Sequence, residues 1–364
     1  MVPKETGLLR LKNQQVSEPK SRKVKELVSW MGAMQAQDYN MAKWALGLRL
    51  PGSTEGDIEK ALDSGEILRT HLLRPTWHFV SGDDILWMLE LTGRRILSSL
   101  KSRHKQLELT GKIIAKSNRV IERALRDGEH LTRDELKKAL SDAGLSTGEN
   151  RASHFFLCAE LEGIMCSGIT KNNKQTYALL RNRISKGTHL LREEALAKLA
   201  RRYFSSHGPA TLKDFAWWSG LTVTEAKQGL EDIKDGLFSE TIATQTYWLP
   251  DALPVDNIIN QGAYLLPAFD EFIVSYTDKT PILAFENMKK DVSDNGIFRP
   301  TVIVGGQVTG TWKRTVNKEK VTLELFFFRE HTKTEISSLK KAVAGYGNFL
   351  GKKTELKLPN KPEK

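Results

Sequence analysis

Val24, Leu27, Val28, Met31 and Met34 recur at intervals of three and four in SRKVKELVSWMGAMQ, the spacing that gives a helix one apolar face. After Met34 the period is lost: QAQDYN carries no stripe, and Asp38 or Asn40 can cap a following helix, MAKWALGL. DIEKALDSGE reads as a further helix, and ILRTHLLRPTWHFV as two strands interrupted at Arg74-Pro75. The order returns downstream. HLTRDELKKALSDAG opens on a capping box, Thr132 to Glu135, and stops at Gly144; NRASHFFLCAELEGIMCSG supplies a second helix and KQTYALL a strand. It returns once more in ATLKDFAWWSG, closed by Gly220, then TVTEAKQGLEDI behind Thr222 or Thr224, then LFSETIATQTYWL, a two-stranded wing.

This repeated order predicts three tandem winged-helix (helix-turn-helix) units over residues 1–105, 106–186 and 187–254. Past Pro250 the pattern turns to strands. AYLLPAFDEFIVSY, TVIVGGQVTGTW and KVTLELFFF are expected in a β-rich C-terminal part, 255–364, with hairpin turns at Gly305-Gly306 and VNKEK. TEISSLKKAVAGYGNFL follows as a last helix, before a frayed tail, PNKPEK. The fold class is α+β, and no low-complexity linker separates the units, so they are expected to pack on one another.

Composition adds a partner class. The 364 residues are 40% hydrophobic, enough for sizeable cores, and carry a formal charge of +11, which favours an anionic partner, nucleic acid or an acidic membrane. Ten Lys and Arg against Glu108 and Glu122 concentrate the charge between Arg94 and Arg126. Interleaved apolar residues at helical spacing place those charges on outer helix faces, either as a solvated surface or as one that tracks phosphates. No apolar run reaches the ~18 residues of a membrane span, and MVPKETGLLRLKNQQ lacks a signal core, so a cytoplasmic protein without membrane association is expected. Cys158 and Cys166 have no His partners at ligand spacing; reduced core thiols, no metal and no cofactor follow.

Familiar catalytic patterns fail on inspection. GGQVTGTW lacks the Lys-Ser/Thr of a phosphate loop and sits between strands. Asp270 and Glu271, neighbours in an expected strand, would face opposite ways and make a poor acid–base pair. Trp312-Lys313-Arg314 sets an aromatic beside two cations, although a core tryptophan flanked by surface charge is the simpler reading. His78 in TWHF is read first as a satisfied structural histidine.

What remains is Gln35 and Gln37. Two residues apart on a helix they would diverge by about 160°, so the helix has to end near them; in an extended segment both point to one side and two carboxamides converge. Taken alone, they are cap or loop glutamines. In combination, QAQD after an amphipathic helix, HLLRPTWHFV, LLPAFDEF and GGQVTGTWKR resemble the AlkZ-like winged-helix DNA glycosylases of the azinomycin-resistance type, across nearly the whole chain. The resemblance implies a C-shaped tandem winged-helix scaffold with a β-rich C-terminal part, cleaving N-glycosidic bonds of alkylated purines. It maps the family's glutamine, hydrophobic, glutamine motif onto Gln35, Ala36 and Gln37 as catalytic positions, and the final Gln separates this chain from a sister branch with Asp there. It further implies double-stranded DNA with alkylated bases as partner, held by Arg94, Arg95, Lys101, Arg103, Lys313 and Arg314. His78, Asp270 and Trp312 are candidate pocket residues, and a monomer is expected. A non-catalytic winged-helix DNA binder or regulator, and a module for acidic protein partners, are the competing readings.

Overall fold

The computed structural model describes residues 3–185, 187–242, 244–250, 262–284 and 298–358. The chain opens with α1 (Pro3–Asn13) and α2 (Val24–Met31). Gly32, at φ 79°, ends α2 in a backbone conformation that favours glycine. The helix thus stops at Met31, three residues before the apolar stripe runs out at Met34, and the chain enters strand β1 (Ala33–Gln35). The Asp38 carboxylate then accepts the Met41 N–H at 3.1 Å and starts α3 (Tyr39–Arg49). Next come α4 (Glu55–Ser64) behind a Thr54–Asp57 capping box, and strands β2 (Ile67–Leu72) and β3 (Thr76–Ser81). The three strands form an antiparallel sheet of order β1-β3-β2, with Ala33 opposite Val80, Met34 opposite Phe79 and Gln35 opposite His78.

Strand alternation makes this sheet a partition between two cores. Met34 and Phe79 face a cluster with Trp44, Trp312 and Tyr346; Ala33, Leu68 and Val80 face another with Trp87, Tyr203 and Trp218. Residues far apart in sequence therefore share each interior.

The chain continues through α5 (Ile85–Ser99), α6 (Lys101–Gln106) and α7 (Gly111–Ala124), whose outer faces carry the basic run. A small three-stranded sheet, β4 (Leu131–Thr132), β5 (Met165–Ser167) and β6 (Thr176–Leu179), packs with α8 (Arg133–Asp142) and α9 (Arg151–Leu161) around a core of their own. A one-turn α10 (Leu180–Arg183) leads to α11 (Arg192–His207), then α12 (Leu212–Ser219) and α13 (Val223–Glu231), capped by Thr211 and Thr222. A two-stranded hairpin, β7 (Phe238–Ile242) and β8 (Gln245–Leu249), follows, in the expected order.

The C-terminal part is a five-stranded sheet of order β13-β12-β11-β10-β9. Its strands are β9 (Ala263–Leu266), β10 (Thr301–Val304), β11 (Gln307–Val316), β12 (Lys320–Phe327) and β13 (Lys353–Lys357), with α14 (Glu271–Val274) after β9 and α15 (Lys333–Leu350) before β13. Two expectations change here. FDEFIV is a turn and a short helix instead of a strand: Phe269 adopts φ 60° and the Asp270 carboxylate accepts the Phe272 N–H at 3.0 Å, capping α14. The second change is β13, which pairs parallel to β12 and follows the last helix directly. The boundary at 254/255 and the tail PNKPEK lie outside the described residues. Trp44 packs edge-on against Tyr346, ring centroids 4.9 Å apart, joining the first helices to α15.

Candidate active site

Gln35 closes β1 and is fastened at two points. Its backbone N–H donates to Glu271 Oε1 at 2.5 Å, and its side-chain Oε1 accepts from Arg74 Nη2 at 3.1 Å. It is buried, at 9% exposure. Gln37, two residues on, is exposed, and its side chain has no hydrogen-bond partner among the described residues. Between them Ala36 is fully buried: its N–H donates to the Trp77 carbonyl at 2.6 Å and its carbonyl accepts from Arg69 Nε at 3.0 Å. The motif thus has one fixed carboxamide, a locked backbone and one free carboxamide.

Glu271 is the hub behind Gln35. Its other oxygen accepts from Trp218 Nε1 at 3.0 Å and from the Ser275 hydroxyl, and His207 Nε2 lies 3.5 Å away. Burial pushes this carboxyl upward, but His207, the Ser275 hydroxyl and the Gln35 N–H outweigh it and hold the group at about 2. Glu271 is therefore a carboxylate at neutral pH. His78, directly across from Gln35, is pulled down to about 3 by burial first and by the Arg74 charge second. Its neutral ring is held by the Thr76 carbonyl, 2.9 Å from Nδ1, which fixes the proton there. Nε2 is left as a buried acceptor without a partner; the Thr70 hydroxyl, His78's neighbour across the sheet, and the Arg74 Nε–H donor are likewise buried and unpaired. Three buried polar atoms without partners beside one glutamine are uncommon, because such groups ordinarily cost free energy.

Arg74 arrives through the β2–β3 turn, where Leu73 adopts φ 59°. The α12–α13 turn closes on it at Gly220: a Cβ there would stand 2.2 Å from the Leu73 carbonyl oxygen. Only glycine allows that approach, and it carries Trp217 to the Arg74 guanidinium, 5.4 Å from the indole centroid.

Of the residues singled out from sequence, Gln35 and His78 meet here. Arg74, Trp217, Trp218 and His207 were missed, and Glu271 was weighed only as an acid–base partner of Asp270; they come from a turn and from segments about 180 and 235 residues beyond Gln35, which local periodicity cannot join. Asp270 and Trp312, the other two pocket candidates, lie in the interior. Asp270 receives two hydrogen bonds from Arg49, both 2.9 Å, with both side chains fully buried. Trp312 is fully buried, donates Nε1 to the Leu266 carbonyl at 2.8 Å and packs on Tyr346. Arg94, Arg95, Lys101 and Arg103 are exposed on α5 and α6, and Arg95 Nε donates to the Gly220 carbonyl at 2.5 Å. Lys313 is exposed on β11, whereas Arg314 turns to the Tyr346 hydroxyl. Burial pushes the Cys158 thiol up to about 12 and Cys166 higher still, so both are inert thiols. Among the described residues no helix is long and apolar enough to cross a membrane. A cavity of about 850 Å³ lined by Lys23, Leu50, Asp57 and Lys60 contains neither glutamine.

A family model described as DNA glycosylase AlkZ-like matches residues 28–349. No curated protein matches the sequence. Among solved structures, Streptomyces sahachiroi DNA glycosylase AlkZ is similar with a TM-score of 0.80 at 20% identity, over 99% of this chain and 100% of that one.

Proposed function

Because the chain belongs to the AlkZ-like DNA glycosylase family, we propose that it hydrolyses the N-glycosidic bond of N7-alkylguanine lesions in duplex DNA with water placed by Gln35 and Gln37. The chemistry suits uncharged side chains. N7 alkylation already gives the base a positive charge, so when the C1′–N9 bond breaks its electron pair neutralises the leaving base and no general acid is required. The sugar becomes oxocarbenium-like, water adds at C1′, and a proton passes to solvent. Orientation of that water is the remaining demand.

One observation carries the reading: Gln35 is oriented from two sides while Gln37 stands exposed and unpaired two residues away. Arg74 occupies one lone pair of Gln35 Oε1, leaving the second lone pair and the NH2 group to face the reacting sugar. Gln37 offers a complete carboxamide to the water. Among the described residues the groups bonded to Gln35 include no lysine, which favours hydrolysis by a monofunctional enzyme over an amine-linked intermediate. The exposure of Gln37 suits a lesion that is not deeply extruded, so bulky adducts and crosslinks belong to the proposed substrate range. The three helix–helix–strand stretches, 1–105, 106–186 and 187–254, would act as tandem winged-helix units of a monomer. The exposed α5–α6 cations would hold the backbone.

The test is single-turnover release of N7-methylguanine from an oligonucleotide duplex. The wild-type protein is expected to release the base, and Gln35→Ala and Gln37→Ala each to slow release by roughly 10- to 1,000-fold without unfolding the protein. A double variant as fast as the parent would overturn the assignment; binding without any release would favour a non-catalytic DNA binder.

A further inference from the structure

Trp217 is the only exposed residue among the eight tryptophans, all of which are described; its neighbour Trp218 is fully buried. Successive helix positions point about 100° apart, so α12 sends one indole into the core and one outward. Single exposed apolar side chains are ordinary, but this one is neither loose nor remote. Its Nε1 donates to the Val274 carbonyl at 3.1 Å, which fixes the ring while 51% of the residue stays exposed. The guanidinium over its ring belongs to the same Arg74 that holds Gln35 Oε1. Arg95, at the Gly220 carbonyl, brings the basic face of α5 to the end of the same helix.

We infer that Trp217 is a stacking subsite for one nucleobase of duplex DNA, next to the base that Gln35 and Gln37 act on. A rigid indole face flanked by Arg74 and Arg95 matches a nucleotide in both parts, an aromatic base against the ring and an anionic phosphate against the cations. Every base has such a face, so the subsite is indifferent to sequence and sets position. Only the identity of the neighbouring lesion rests on the glycosylase reading.

The experiment measures Kd of the full-length protein, Trp217→Ala and Trp217→Phe for two duplexes over a salt series. One is undamaged and the other carries a release-resistant 2′-fluoro analogue of N7-methylguanine; thermal melting checks that each variant is folded. Trp217→Ala is expected to weaken binding about tenfold and Trp217→Phe less than about threefold, because phenyl still stacks. The slope of log Kd against log salt should be unchanged, since the indole neutralises no phosphate. A folded Trp217→Ala variant that binds within twofold of wild type overturns the subsite, as does equal weakening by Ala and Phe, or wild-type protein that binds neither duplex. Base release is scored separately on the hydrolysable lesion, so loss of the glycosylase reading leaves the stacking result readable.

Discussion

His78 and Glu271 set the charge around Gln35, and both titrate far from neutrality: about 3 for His78 and about 2 for Glu271. Between pH 6 and 8 the first is neutral and the second ionised, so the single-turnover rate is expected to stay nearly flat across that range. A steep step there would point to another titrating group in catalysis. Stability should respond on the acid side. The folded value of His78 lies below its ordinary 6.5, so as pH falls from 6.5 towards 3 the unfolded chain takes up a proton that the folded chain refuses. The contribution is complete above pH 6.5 and is lost on acidification, by up to about 1.4 kcal/mol per pH unit. Glu271 has the same sign, with its loss beginning below its ordinary 4.5. In melting curves between pH 7 and 5, His78→Asn should lose less Tm than wild type; equal losses would assign the acid sensitivity to other histidines.

Element boundaries show where sequence patterns suffice. Helices α4, α8, α12 and α13 begin at Thr54, Thr132, Thr211 and Thr222, each in a capping box with the acidic residue three positions on. That signal is local, and the helices fall where it places them. α14 has no such independence: it exists at a turn where Phe269 takes positive φ and Asp270 is held by Arg49 from α3. Breaking that buried pair leaves an uncompensated charge, so Asp270→Ala should destabilise the protein by about 3–5 kcal/mol in urea unfolding. A cost below about 1 kcal/mol would show that the turn stands without it. β13 was illegible because KTELK has no apolar alternation and gains its identity from β12. α1 was hidden by Arg10, buried against Tyr276 with Nε on the Pro209 carbonyl, which breaks the polar face an isolated helix would show.

Across the whole molecule the charge of +11 and the exposed cations of α5 and α6 predict duplex affinity that falls with salt. Neutralising a phosphate-contacting cation lowers the slope of log K against log salt by about 0.9. Lys101→Ala and Arg103→Ala are each expected to reduce it by about that amount, with similar weakening on damaged and undamaged duplexes. An unchanged slope in both would place the DNA elsewhere. Arg314→Ala should alter the slope less than Lys313→Ala, because Arg314 is engaged with Tyr346.

By itself the sequence determined the helices that cap and stripe themselves, the end of α2 before Gln35, the hairpins, the basic run and the resemblance that singled out two glutamines. Those features depend on neighbours three or four positions away, or on bulk charge. Tertiary structure alone decided that Gln35 is held by Arg74 and Glu271, that Trp217 meets the same Arg74, and that Asp270 and Trp312 belong to the interior. Each of these joins segments remote in sequence through burial and hydrogen-bond closure, whose free energy depends on which surfaces meet, and no local pattern encodes that meeting.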